Sequence, residues 1–266
     1  MTDRTVNERK SVMSESAMIG TRAGLVHVVE RGAGPPVVLL HATLHDRHDF
    51  DPITDRLAAH FRVVAIDWPG HGLSDPARPS VTLLADVLED VVDSLGLSTA
   101  AYIGNSVGAF AAGRLAVRRP EAVTHLILVN PGGFVTVPWF VRAVSRTIGK
   151  PAIARLVMPR MVPAYMRSRT ESDRKIESRA VARAKTPEGA QVVASIWRGF
   201  SSPDYNLGRS EITAPTLVVW GRHDPIVRRD FLPEALGSIV ELDTGHVAFS
   251  SDPDGFLAAA LPFLGA

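Results

Sequence analysis

Six short apolar runs, separated by helix-length segments, restrict the fold of this chain more than any other feature. They are Pro36–His41, Arg62–Asp67, Ala100–Gly104, His125–Asn130, Thr216–Gly221 and Ser238–Asp243. Their length, β-branched content and flanking turn residues suit strands buried on both faces. Between them, Asp51–His60, Val81–Leu95, Val107–Arg118 and Arg229–Leu236 read as helices, and Asp254–Phe263 closes the chain. Strand alternating with helix predicts a mostly parallel α/β sheet with right-handed crossovers and helices on both faces. The weakly alternating stretch Ala17–Glu30, broken at Arg22–Gly24, reads as a hairpin.

One interval departs from this rhythm. From Phe134 to Tyr205 no strand is evident, and apolar residues recur at helical spacing, punctuated by Pro138, Pro151, Pro159, Pro163 and Pro187. The expected organisation is a flexible tail at 1–15, an α/β core formed by 16–133 and 206–266, and a helical cap or lid at 134–205. A chain of 266 residues accommodates one such domain with its insertion.

Composition excludes several functions. The formal net charge of +1 argues against a globally basic nucleic-acid binder. The absence of cysteine removes disulfides, thiolate metal sites and cysteine nucleophiles. No apolar segment reaches the ~20 residues of a membrane span, and the polar start lacks a signal-peptide run. The expectation is a cytoplasmic protein without stable membrane insertion. Charge is uneven, with a net +9 from Arg142 to Arg198 and −8 elsewhere. This reads first as a solvated basic helix face, with attraction of an anionic substrate, acyl carrier or membrane surface as the alternative.

Gly104-Asn105-Ser106-Val107-Gly108 joins a predicted strand to a predicted helix. A serine at such a sharp turn projects its hydroxyl from the C-terminal edge of the sheet. Flanking glycines let strand and helix approach closely. The new helix turns its N-terminus toward developing negative charge, and the Val107 N–H can stabilise an oxyanion.

A serine hydroxyl needs a base. His246 lies in a loop after the run Ser238–Asp243, ahead of the last helix. His223 is the rival, but it adjoins Asp224, and neighbouring residues do not easily face one site. Asp224, just past Thr216–Gly221, is expected to orient His246. The other strand end suited to an acid carries Asn130, which cannot hold the charge. A second oxyanion donor is expected from the loop after Pro36–His41, with the Thr43 N–H first and Leu44 next. His41, Asn105, Trp139 and Trp197 are assigned to the substrate-binding side, His41 as a brace for its loop and not as a reactive group.

These pieces resemble the α/β-hydrolase superfamily, in its capped subgroup of esterases, epoxide hydrolases, haloalkane dehalogenases and carbon–carbon bond hydrolases. The matching residues are His41-Ala42, Asp67-Trp68-Pro69-Gly70-His71-Gly72-Leu73-Ser74, the 104–108 turn, Gly221–Asp224 and Gly245-His246. The resemblance implies an eight-stranded sheet and the chain order Ser106, Asp224, His246. Serine at 106 argues against the dehalogenases and epoxide hydrolases, which place aspartate there. The expected activity is hydrolysis of a carboxylic ester of a small hydrophobic substrate, with no metal or organic cofactor. Carbon–carbon cleavage of a ring-fission product is the alternative, although Val247 stands where those enzymes often carry tryptophan. A non-catalytic ligand-binding protein on this scaffold is the third reading.

Overall fold

The computed structural model describes residues 14–134, 137–207, 211–227, 229 and 236–266. Eight strands form one sheet: β1 (Ser14–Thr21), β2 (Gly24–Arg31), β3 (Pro36–Leu40), β4 (Arg62–Ile66), β5 (Ala100–Asn105), β6 (Val123–Val129), β7 (Thr216–Gly221) and β8 (Ser238–Leu242). Their spatial order is β1-β2-β4-β3-β5-β6-β7-β8. β1 and β2 form an antiparallel hairpin, β2 pairs antiparallel with β4, and the remaining pairs are parallel. Each of the six apolar runs has become a strand.

The helices are α1 (Asp51–Ala58), α2 (Val81–Ser94), α3 (Val107–Arg118), α4 (Trp139–Ile148), α5 (Pro151–Met166), α6 (Glu171–Lys185), α7 (Pro187–Gly199), α8 (Ala248–Ser251) and α9 (Pro253–Leu264). Alternating strand residues feed different cores. Val37, Leu39, Val63, Ile103 and Ile127 pack with Phe50, Phe249 and Phe256 on one face. Val38, Leu40, Val64, Tyr102 and Leu126 pack against α2 and α3 on the other. Burial on both sides is why these strands read as unbroken apolar runs.

The start of the sheet and one short helix differ from the sequence reading. Ser14 and Glu15, assigned to the tail, pair with Arg31 and Glu30 and open β1. The short α8 had no sequence signal, since four residues are too few for a helical period. Most of the helix expected at Arg229–Leu236 lies outside the described residues.

Four helices, α4 to α7, occupy the interval between β6 and β7. Pro159 and Pro163, expected as punctuation, lie inside a continuous α5. Each proline removes the donor for the carbonyl four residues earlier. Here those carbonyls belong to Arg155 and Pro159, on the outward stripe that also carries Pro163. Thr170 and Asp173 cap α6 reciprocally, and Thr186 caps α7 ahead of Pro187.

Candidate active site

β5 ends at Asn105 and α3 begins at Val107, so one residue makes the whole turn. That residue, Ser106, has φ 56° and ψ −110°, a sparsely populated region for a side chain with a Cβ. Its backbone is held on both sides. The Ser106 N–H donates to Val129 O (3.0 Å), and its carbonyl accepts from Phe110 N (3.2 Å) and Gly132 N (3.2 Å).

The flanking glycines meet a steric demand. A Cβ on Gly104 would lie 2.5 Å from the carbonyl of Gly108, and one on Gly108 would lie 2.2 Å from Leu40 O. Both obstacles are backbone. Gly108→Ala is expected to cost about 1–3 kcal/mol of stability by forcing α3 away from β3. A drop in the denaturant midpoint at unchanged slope would register it.

Asp224 and His246 are brought together from the loops after β7 and β8. His246 Nδ1 lies 2.6 Å from Asp224 Oδ2, and both residues are buried. The other carboxylate oxygen accepts from Ile226 N at 2.8 Å. His223 turns outward to Asp243 (Nε2 to Oδ1, 2.5 Å). The adjacent pair therefore divides, with the aspartate facing inward and the histidine facing the surface.

The loop of His246 is pinned by two asparagines. Asn130 Nδ2 donates to Gly245 O (3.1 Å) and His246 O (2.9 Å), while its Oδ1 accepts from Gly221 N (2.9 Å). One amide thus ties the loop bearing the acid to the loop bearing the histidine. Asn105 Nδ2 donates to Val129 O and His246 O, both at 3.0 Å. Asn105 is fully buried in this role, which corrects its assignment to substrate binding. The α5 helix also closes on the loop. His246 N donates to Tyr165 O at 2.9 Å, and a Cβ on Gly245 would lie 2.4 Å from the carbonyls of Tyr165 and Met166.

Ser106 and His246 line one small cavity with Ala42, Thr43, Met158, Tyr165, Trp197, Phe200 and Ile226. Trp197 lies in this lining. Trp139 does not: it is 80% exposed at the start of α4, which corrects its assignment. The cavity is about 30 Å³, close to the volume of one water molecule and far below the ~300 Å³ of small ligand pockets. No hydrogen bond joins Ser106 Oγ to His246 among the described residues. A cavity of about 600 Å³ between the 70–78 loop and α6–α7 does not include Ser106.

The loop after β3 is braced from beneath. His41 Nδ1 donates to Ala42 O (2.7 Å), and its Nε2 accepts from Trp68 N (3.0 Å). Burial lowers its pKa, so the neutral ring carries one donor and one acceptor. Both ring nitrogens of His41 are committed to backbone, which braces the loop. His71 acts similarly: its Nδ1 donates to Pro69 O, and its Nε2 accepts from Leu44 N (3.2 Å). The Leu44 N–H is therefore occupied. Among the described residues the N–H groups of Thr43 and Val107 have no protein acceptor.

The sequence reading missed the groups that fix this loop from the insertion. Arg183 of α6 donates from Nη1 to Leu44 O and His45 O, both at 2.6 Å, and from Nη2 to Asp46 Oδ2 at 3.0 Å. Tyr165 OH lies 2.9 Å from His45 Nε2, and His45 Nδ1 lies 2.6 Å from Asp49 Oδ2, off the axis of a good hydrogen bond. Burial raises the Tyr165 pKa, which keeps the phenol neutral. These partners are up to 139 positions apart and share no motif.

Burial pushes the Asp46 carboxyl up, but Arg183 and Arg179 outweigh it and hold the pKa at about 2. A carboxyl with a depressed folded pKa stabilises the fold above its ordinary value of about 4, and that contribution is lost as pH falls toward 2. Asp46→Asn is expected to lower the melting temperature near neutral pH and to change it progressively less toward about pH 2. Melting curves across that range check the sign.

Comparison with known proteins agrees with this architecture. The chain is 28% identical over 273 residues to a 2-hydroxy-6-oxononadienedioate/2-hydroxy-6-oxononatrienedioate hydrolase of Klebsiella pneumoniae, covering 92% of each chain. Its fold is similar to that of a thermophilic esterase from Thermogutta terrifontis (TM-score 0.77, 23% identity, 94% of this chain and 98% of that one). It is also similar to the 2-hydroxy-6-oxo-6-phenylhexa-2,4-dienoate hydrolase of Rhodococcus sp. strain RHA1 (TM-score 0.76, 21% identity, 96% and 100%). The family model describing the alpha/beta hydrolase fold matches residues 35–253, and with the sheet order and the strained turn at Ser106 this places the chain in the alpha/beta hydrolase family.

Proposed function

We propose that the protein is a serine hydrolase that cleaves a carboxylic ester, or a related acyl bond, through an acyl-enzyme on Ser106. The observation that carries this reading is the buried His246–Asp224 pair at 2.6 Å, which shares a cavity with the Ser106 hydroxyl and the Thr43 loop. In this reading His246 takes the proton from Ser106 as Oγ attacks the carbonyl carbon. Asp224 holds Nδ1–H and so presents Nε2 as the acceptor. The N–H groups of Val107 and Thr43 receive the oxyanion, and their fixed orientation avoids reorganisation during the step. The tetrahedral intermediate collapses, His246 returns its proton to the departing alcohol, and water activated by the same imidazole releases the acid.

The insertion at 134–205 acts as the cap in this scheme. Met158, Tyr165 and Trp197 from α5 and α7 line the cavity that holds Ser106. The apolar lining favours a hydrophobic acyl or aryl group.

The second reading is carbon–carbon cleavage of a vinylogous diketone, favoured by the relative from Klebsiella pneumoniae, which aligns over 92% of both chains. The two readings separate in parallel assays with a p-nitrophenyl ester and a chromogenic 2-hydroxy-6-oxodienoate. Ester turnover with no loss of dienoate absorbance is expected. Turnover of the dienoate alone would replace ester hydrolysis with the second reading.

A further inference from the structure

α4 is turned inside out relative to an ordinary surface helix. Only Ser145 and Ile148 are buried within it. At roughly 100° per residue, Val141 joins these two on the inner side. The outward arc carries Trp139, Phe140 and Val144, which are 80%, 50% and 52% exposed. Trp139 and Phe140 stand edge to face at 6.1 Å. Arg142 and Arg146 project between this apolar arc and the buried side.

The local charge is one-signed. From Trp139 to Thr170 the chain has seven Lys and Arg residues and no Asp or Glu. Arg142 Nε donates to Val137 O, and among the described residues neither Arg146 nor Lys150 has a carboxylate partner. The helix thus presents aromatic and aliphatic groups beside uncompensated cations.

We propose that α4 docks the protein on an anionic lipid surface. A helix lying in the interface buries its apolar face among the acyl chains while flanking Arg and Lys meet lipid phosphates. Trp and Phe suit the boundary between headgroup and hydrocarbon. A second copy fits less well, because a self-complementary contact through this face sets arginine against arginine. An acidic protein would have to answer the arginines and also supply an apolar pocket for Trp139, Phe140 and Val144, whereas an anionic bilayer offers both along its whole surface. The contact is peripheral, since among the described residues no helix is long and apolar enough to cross a membrane. α4 packs on α5 and α7, which line the Ser106 cavity, so docking would place the cap at the lipid boundary. The docking surface is independent of the chemistry proposed for Ser106.

The test is cosedimentation of the full chain with phosphatidylcholine vesicles, with and without phosphatidylglycerol. Binding is expected only to the mixed vesicles, weakening about tenfold or more at high salt. Two double variants, Trp139→Ser with Phe140→Ser and Arg142→Glu with Arg146→Glu, should each lower vesicle affinity about tenfold or more at an unchanged melting temperature. No binding to the mixed vesicles overturns the proposal, as does binding undiminished in both variants. A parent dimer that the Trp139→Ser, Phe140→Ser variant converts to monomer would assign the face to a second copy. Capture of an acidic carrier protein without vesicle binding would assign it to that partner.

Discussion

Ser106→Ala is expected to lower kcat for an aryl ester by about 10⁵–10⁶-fold while leaving the fold unchanged. The substitution removes only the hydroxyl, and among the described residues no hydrogen bond depends on it. Alanine carries the same Cβ into the same backbone conformation, φ 56° and ψ −110°, so the strain at the turn is not altered. The melting temperature should therefore stay close to that of the parent, and KM should change little. A further His246→Ala substitution should cost almost nothing more, because base and nucleophile act as one unit. Steady-state kinetics of the single and double variants, with melting curves, separate loss of chemistry from loss of structure.

Asp224→Asn is expected to reduce kcat by about 10⁴-fold. The amide keeps an oxygen that can accept from Ile226 N, so the loop geometry survives. The change falls on Oδ2, which now accepts from His246 Nδ1 at 2.6 Å. An NH₂ group in that place favours the imidazole tautomer with the proton on Nε2, and that ring cannot take a proton from Ser106. It also removes the negative charge that stabilises the imidazolium. Raising the pH should recover only part of the lost rate, since the defect lies in tautomer and charge and not in the protonation of free imidazole. Full activity in this variant would show that Asp224 does not orient His246.

The fold was legible because its signals are periodic or local. Val37 to Leu40 alternate between two cores, and such a run reads as a buried strand without knowledge of its partners. The turn at Ser106 was legible because sterics leave little freedom at 104 and 108, where a Cβ would strike backbone. The pairing of Asp224 with His246 is legible from their positions after predicted strands, and the outward turn of His223 from the divergence of adjacent side chains.

The missed features depend on contacts between distant parts of the chain. Asn130 was noted only as a residue unable to serve as the acid, yet its amide links the loops of Gly221 and His246. Asn105 precedes Ser106 in the motif, and only the folded chain shows its amide donating to His246 O across the sheet end. Trp139 is a candidate for the access route as an apolar residue of the insertion, yet it stands exposed on α4. The charge pattern around it, with no acid from 139 to 170, held the information about its exposure. Arg183 carried no motif at all, and only the packing of α6 on the loop after β3 reveals what it holds.

Whether Ser106 is an activated nucleophile is decided by fluorophosphonate labelling followed by peptide mass analysis, because the reagent reacts with serine hydroxyls that have an adjacent base. One label per chain is expected, located on the peptide containing Ser106, blocked by prior exposure to an ester substrate and absent from Ser106→Ala. An unlabelled parent protein, or a label that persists in Ser106→Ala, would contradict that role.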